Sequence, residues 1–138
     1  MSSESVAIID SGGANIASLR YAFRRLGAEA LLTTDPDQIR GASRVVLPGV
    51  GAARDAMDRL RGDNLVDVIR SLTQPVLGIC LGMQLLAEAS EEDDVECLGV
   101  VPGTAKRLTS STSCPVPNMG WCAVSRTGNH DILDAIDD

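Results

Sequence analysis

Four short apolar runs, each closed by a turn and followed by a helical pattern, constrain this chain more than any other feature. Val6-Ala7-Ile8-Ile9, Ala30-Leu31-Leu32-Thr33, Arg44-Val45-Val46-Leu47 and Val76-Leu77-Gly78-Ile79 are near-continuous rather than alternating. A strand of that kind needs cover on both faces, as in a parallel sheet. The intervening segments supply the cover. From Asn15, a good N-cap, the residues Ile16, Leu19, Ala22, Phe23 and Leu26 recur at helical spacing, and Gly27 is placed to end the helix. Asp35-Pro36 opens a second, short helix with proline in its first turn. Further helical patterns run over Ala52–Arg61, Leu65–Leu72 and Leu81–Ala89. Strands alternating with helices predict an α/β fold: an open, mostly parallel sheet with helices on both faces.

The length of 138 residues is that of one domain. With one Trp, one Tyr and one Phe, the core has to be aliphatic. Beyond Glu96 the texture changes: Leu98–Gly103, Thr109–Ser113 and Val116–Val124 read as short strands and loops, an antiparallel excursion within the same domain. The net charge is −7, and the nearest thing to a basic patch, Arg20, Arg24 and Arg25, is one face of a helix, so nucleic acid is not an expected partner. The acidic run Glu91-Glu92-Asp93-Asp94 lacks EF-hand spacing and reads as a solvated loop. The start has no basic, apolar leader pattern, and no apolar run approaches the roughly 18 residues of a membrane span. Cys80, Cys97, Cys114 and Cys122 form no CxxC pair and there is one histidine, so no metal site is expected. A cytoplasmic protein with reduced thiols fits this usage.

Open α/β sheets bind ligands at the carboxyl ends of their strands. Three turns at such ends are rich in glycine: Ser11-Gly12-Gly13, Pro48-Gly49-Val50-Gly51 and Gly78-Ile79-Cys80-Leu81-Gly82. The last has the form of a nucleophile elbow with cysteine as nucleophile, its glycines letting strand turn sharply into helix. The start of a helix favours a thiolate. The Leu81 amide lies where an oxyanion would form, and the Pro48–Gly51 loop offers a second donor. The alternative reading is that Cys80 is a small buried hydrophobe and the glycines are packing devices.

At these residues the sequence resembles a family. Gly78-Ile79-Cys80-Leu81-Gly82-Met83-Gln84 is similar to the nucleophile motif of class I (triad) glutamine amidotransferases, whose sheet is flavodoxin-like. Within that class, Asp10-Ser11-Gly12-Gly13-Ala14-Asn15, Leu47-Pro48-Gly49-Val50-Gly51 and Pro117-Asn118-Met119-Gly120-Trp121 resemble the glutaminase subunits of imidazole glycerol phosphate synthase. The resemblance implies that Cys80 attacks the side-chain amide of glutamine, releases ammonia and forms a glutamyl thioester that water hydrolyses. It implies no cofactor. The ammonia would pass to a (β/α)8 cyclase subunit, the other half of a heterodimer, which makes imidazole glycerol phosphate and an aminoimidazole carboxamide ribonucleotide in histidine biosynthesis. Carried over, Gly51 and Leu81 lie at the oxyanion hole, and Gly49, Val50 and Gln84 line the glutamine pocket. Glu92 contacts the substrate's amino group or is simply a solvated carboxylate. Asn15, Met119 and Trp121 face the cyclase, although a lone Trp is as often core. Asn118 and Cys122 stand where the family usually has His and Asn. Cys97, Cys114 and Cys122 read as structural.

A cysteine amidotransferase also needs a base and a carboxylate to orient it. The surroundings of His130 do not match the family's catalytic histidine, and it reads as an exposed residue at the start of a helical stretch, Asp131–Ile136. Residues 1–138 therefore read as the N-terminal part of the amidotransferase domain, and the chain as given is expected to have little activity. A sheet missing its remaining strands is expected to leave an edge unpaired and prone to association. Two other functions remain open from sequence: a non-catalytic module that docks on the cyclase, and an α/β thiol or redox protein using the elbow cysteine.

Overall fold

A computed structural model describes residues 5–13, 15–128 and 132. Ala14, His130 and nearly all of the stretch expected to be helical after it lie outside the described residues. The chain divides into two compact units, Met1–Arg107 and Leu108–Asp138.

The first unit holds every strand and α-helix of the described residues, in the order β1 (Ser5–Ile9), α1 (Ile16–Arg25), β2 (Glu29–Thr33), α2 (Pro36–Gly41), β3 (Arg44–Gly49), α3 (Ala53–Gly62), α4 (Val66–Arg70), β4 (Val76–Cys80), α5 (Leu81–Leu85), β5 (Ala89–Ser90), β6 (Val95–Glu96) and β7 (Thr104–Ala105). The four apolar runs form one sheet in the order β2-β1-β3-β4, every pair parallel. Side chains alternate between its faces. Val6, Ile8 and Val46 pack with Ile16, Leu19 and Phe23 of α1 on one face. Ala7, Ile9, Val45 and Leu47 pack with Ile39, Met57, Leu60, Leu65, Ile69 and Leu85 on the other. Each fully buried Val, Ile, Leu or Met among these contributes about 1.5–3 kcal/mol.

Local chemistry sets the helix ends. Asn15 Oδ1 accepts from the Ser18 amide at 3.2 Å and starts α1. Gly27, at φ +74°, ends it, with the Ala28 amide donating to the Phe23 carbonyl at 3.0 Å. Asp35 caps α2 through the Asp37 amide at 2.9 Å, with Pro36 in the first turn.

Helix α5 is shorter than the pattern Leu81–Ala89 predicts. It stops at Leu85 because a later segment takes the carbonyls that a longer helix would use. The amides of Leu98, Gly99 and Val100 donate to the carbonyls of Leu85, Ala87 and Leu86 at 2.9, 2.8 and 2.9 Å. Ala89–Ser90 is then free to pair, antiparallel with β6 and parallel with β7. The antiparallel excursion thus begins earlier than expected, and Val116–Val124 holds no strand. Among the described residues no helix is long and apolar enough to cross a membrane.

Of the three cysteines read as structural, Cys97 is buried, whereas Cys114 and Cys122 are exposed and support no core. The Cys97 thiol donates to the Val95 carbonyl at 3.7 Å. Burial pushes the thiol above its ordinary value of 9.0, with Arg61 pulling it down and Glu96 pushing it up. A thiol raised on folding ionises first in the unfolded chain, so its contribution is intact below the ordinary value and is lost as pH climbs past it. Between about pH 8 and pH 10, urea unfolding should show wild-type stability falling faster than that of Cys97→Ala, by up to ~1.4 kcal/mol per pH unit. Parallel pH profiles for the two proteins would contradict this.

Strand β4 is at the edge of the sheet, and its Leu77 and Ile79 are 42% and 37% exposed. They lie on the face that α1 covers farther along, in register with Val46 and Pro48. An unpaired, apolar edge invites pairing between chains. The purified 138-residue chain should self-associate in sedimentation velocity, and L77K/I79K should shift it toward monomer without lowering its melting temperature. Unchanged sedimentation in that variant would rule this edge out as the contact.

Candidate functional site

The sheet reverses its winding at β1 and β3, and the turns leaving these strands come together with the turn leaving β4. Ser11 is buried, and its hydroxyl donates to the Pro48 carbonyl at 2.6 Å, tying the first turn to the second. The Gly12 amide donates to Asp10 Oδ1 at 3.1 Å, which tightens the first turn. A Cβ placed on Gly13 would touch Val50 Cγ2 at 3.2 Å, so the two turns are in contact. Gly49 is the register partner of Cys80 across β3 and β4. The three glycine-rich turns expected at one end of the sheet are therefore contiguous.

The junction at Cys80 has the geometry of an elbow. Cys80 has φ 54° and ψ −118°, a conformation that side-chain-bearing residues rarely adopt and that costs about 1–3 kcal/mol. It is exposed, which removes the reading of Cys80 as a buried hydrophobe. Its neighbours show how the strain is held. A Cβ at Gly82 would overlap the Leu47 carbonyl oxygen and lie 2.7 Å from the Leu47 carbonyl carbon. A Cβ at Gly78 would lie 2.6 Å from Met83 Cα. Leu81 and Leu85 are buried, so α5 is pressed onto the ends of β3 and β4 by its apolar face while Cys80 is left outside.

Around this junction, Gly51, at φ +89°, is exposed and lies two residues before the start of α3, and Gln84 is half-buried on α5. Glu92 is exposed; its amide donates to Ser90 Oγ at 3.2 Å. The acidic loop is more than a solvated run of charge. Arg54, three residues beyond Gly51, donates to the Asp93 carbonyl and, at 3.3 Å, to the Asp94 carbonyl. The loop is thereby tied to the start of α3, the helix that follows the Pro48–Gly51 turn. Sequence reasoning missed Arg54 because its partners are backbone carbonyls, which leave no trace in a charge pattern. It also passed over Arg59 and, although it placed Ser11 in a site turn, the bond from Ser11 to Pro48. The Arg59 side chain lies over Gly12, filling the space of the Cβ that Gly12 lacks.

The remaining predicted residues are elsewhere. Asn15 is exposed and serves as the N-cap of α1. Met119 and Trp121 belong to the second unit, where both are almost fully exposed, so Trp121 is not core. In that unit Asn118 Nδ2 donates to Cys122 Sγ at 3.4 Å, so the two positions that depart from the family pattern are partners.

A family model described as glutamine amidotransferase class-I matches residues 7–130. The imidazole glycerol phosphate synthase subunit HisH of Xanthomonas axonopodis pv. citri is 56% identical over 116 residues, which are 84% of this chain and 58% of that protein. Subunit HisH 2 of the same synthase from Legionella pneumophila strain Paris is 55% identical over 116 residues, with the same shares. The chain thus spans less than two thirds of the length of these curated relatives. The crystal structure of a glutamine amidotransferase superposes with a TM-score of 0.64, covering 74% of this chain and 56% of that one, and at 22% identity it is a likeness of fold.

The close approach at residue 82 gives a direct test of the elbow. Gly82→Ala should cost ~3 kcal/mol or more, read as a lower urea midpoint, because backbone rather than a flexible side chain has to move. Gly62→Ala, at a helical glycine with open space around it, should be neutral or slightly stabilising. Equal midpoints for the two variants would show that the junction is looser than described.

Proposed function

The chain belongs to the class-I glutamine amidotransferase family, and on that premise we propose that Cys80 is the nucleophile that takes the amide nitrogen from glutamine. The observation that supports this most directly is the strained, exposed cysteine at the β4–α5 junction, beside the Pro48–Gly51 turn. The Cys80 sulfur adds to the side-chain carbonyl carbon, and negative charge gathers on the carbonyl oxygen. The amides of Leu81 and Gly51 are the donors for that oxygen. Removal of one such donor costs about 2.7–4 kcal/mol of transition-state stabilisation. The C–N bond then breaks, the nitrogen leaves as ammonia with the thiol's proton, and water hydrolyses the thioester to glutamate and free thiol.

In this reading Gly49, Val50 and Gln84 form the wall of the glutamine pocket, and Glu92, on the loop that Arg54 holds, takes the substrate's ammonium group. The proton has to travel from sulfur to the leaving nitrogen. No described residue is a histidine, and His130 lies outside the described residues. General acid–base help of this kind is worth roughly 10²–10⁴-fold.

The whole protein acts, in this reading, as the glutaminase part of imidazole glycerol phosphate synthase in histidine biosynthesis, delivering ammonia to a (β/α)8 cyclase subunit. Support comes from the identity to the HisH subunits over 84% of the chain. Asn15, Met119 and Trp121 are proposed to face that partner; the exposure of the last two suits a surface that another protein covers. Four free cysteines suit the reducing cytoplasm.

Labelling reads the nucleophile without requiring turnover. A diazo-oxo-norleucine should attach to one residue, Cys80, as seen by intact mass and peptide mapping. Glutamine should slow the reaction, and Cys80→Ala should abolish it. Modification of Cys80 by peroxide or iodoacetamide, with no response to the glutamine analogue, would sink the amidotransferase reading in favour of simple thiol chemistry.

A further inference from the structure

At the other end of the sheet from Cys80, the amino ends of β1 and β2 and the later turns of α1 enclose an open groove of about 570 Å³. Arg20 and Arg24, one helical turn apart, line it, together with Ser5, Glu29 and Leu31. A smaller hollow of about 150 Å³ shares both arginines. Nothing in the amidotransferase reading uses this groove.

The two guanidinium groups differ from three other arginines of the first unit. Arg40, Arg61 and Arg70 each lie against a carboxylate. Arg20 and Arg24 have no ion-pair partner among the described residues, although the chain carries a net charge of −7. Arg24 lies over the Tyr21 ring, 5.8 Å from its centroid, which limits where its head group can go. The helix end does not require both residues. Arg25 also stands in the last turn of α1 and does not line the groove, while Arg20 lies a turn earlier.

We propose that this groove binds a small organic phosphate, its dianionic head shared by Arg20 and Arg24 and its hydroxylated part beside Glu29. Two planar donor groups at one-turn spacing present forked N–H pairs that match phosphate oxygens. The Glu29 carboxylate accepts only, so it takes a ligand hydroxyl and repels a second acidic group at that end. The chemistry therefore separates a phosphate monoester bearing hydroxyls from a dicarboxylate, which would bring a second negative charge against Glu29. Because the groove is open to water, binding is weak, with a Kd of ~1 mM at low salt.

The test is calorimetric titration of the full chain with glycerol phosphate, and separately with inorganic pyrophosphate and succinate. Glycerol phosphate should bind one to one and saturate, and succinate should bind at least about tenfold more weakly. Arg20→Gln and Arg24→Gln should each weaken glycerol phosphate roughly tenfold. Arg20→Lys should fall between wild type and Arg20→Gln, and Arg40→Gln should change nothing. Glu29→Gln should tighten pyrophosphate, which has no hydroxylated arm. Absence of saturable binding to about 20 mM by protein with a normal melting curve, or undiminished binding in R20Q/R24Q, would overturn the proposal. So would equal affinity for succinate.

Discussion

The contact between the first turn of α5 and the backbone of β3 is the constraint from which the rest of the site follows. A helix seldom starts so close to a neighbouring strand that the next Cβ would overlap a carbonyl oxygen, yet position 82 is such a place. The approach draws Leu81 and Leu85 into the core. It leaves too little chain between Cys80 and Leu81 for an ordinary strand-to-helix transition, so the bend falls on Cys80, at φ 54°. The elbow is thus a packing consequence: aliphatic burial pulls the helix down, two missing Cβ atoms let it arrive, and the nucleophile takes the unfavourable dihedrals. About 1–3 kcal/mol of local strain is small beside the burial of two leucines and the strands they touch.

The same logic extends to the neighbouring turns. β1 lies between β2 and β3, so the chain crosses the sheet in opposite senses on either side of it, and the turns after β1 and β3 meet at this switch point. The buried Ser11 hydroxyl on the Pro48 carbonyl ties the two turns together, and Arg54 draws the acidic loop to the start of α3. Each of these bonds joins segments far apart in sequence. None forms part of a regular ladder, and together they hold loops where a regular element could not reach.

How much of this was legible depended on how local the cause was. Val6–Ile9 and Arg44–Leu47 announce buried parallel strands because every residue is apolar or terminal. Asn15, Gly27 and Asp35-Pro36 mark helix ends because capping acts within four residues. The elbow was readable for the same reason: Gly78, Cys80 and Gly82 sit within five positions. Helix α5 was overrun in the reading because its true end is set by amides from Leu98 to Val101, more than ten residues downstream. Nothing in the helical periodicity of Leu81–Ala89 reports that competition. Arg54, and the bond from Ser11 to Pro48, escaped notice because a side chain that bonds a distant carbonyl looks like any other polar residue. Trp121 as core was an inference from scarcity, and scarcity of aromatic residues says nothing about where the one Trp points.

The second unit poses a different physical problem. Its described residues are exposed throughout, and the Ser111 hydroxyl accepts from the Cys114 amide and lies in hydrogen-bond contact with the Ser113 hydroxyl. Met119, Trp121 and Val124 present their apolar side chains to water. A single exposed leucine or valine is unremarkable on a protein surface, but a methionine and a tryptophan two residues apart form the kind of aromatic and thioether pair that interfaces select. Ordering such a segment costs about 1–2 kcal/mol per residue in backbone entropy, and local serine hydrogen bonds return little of it. The compensation has to come from apolar area that the unit does not bury by itself. A protein surface laid over Met119 and Trp121, as in the proposed partner face, would supply it.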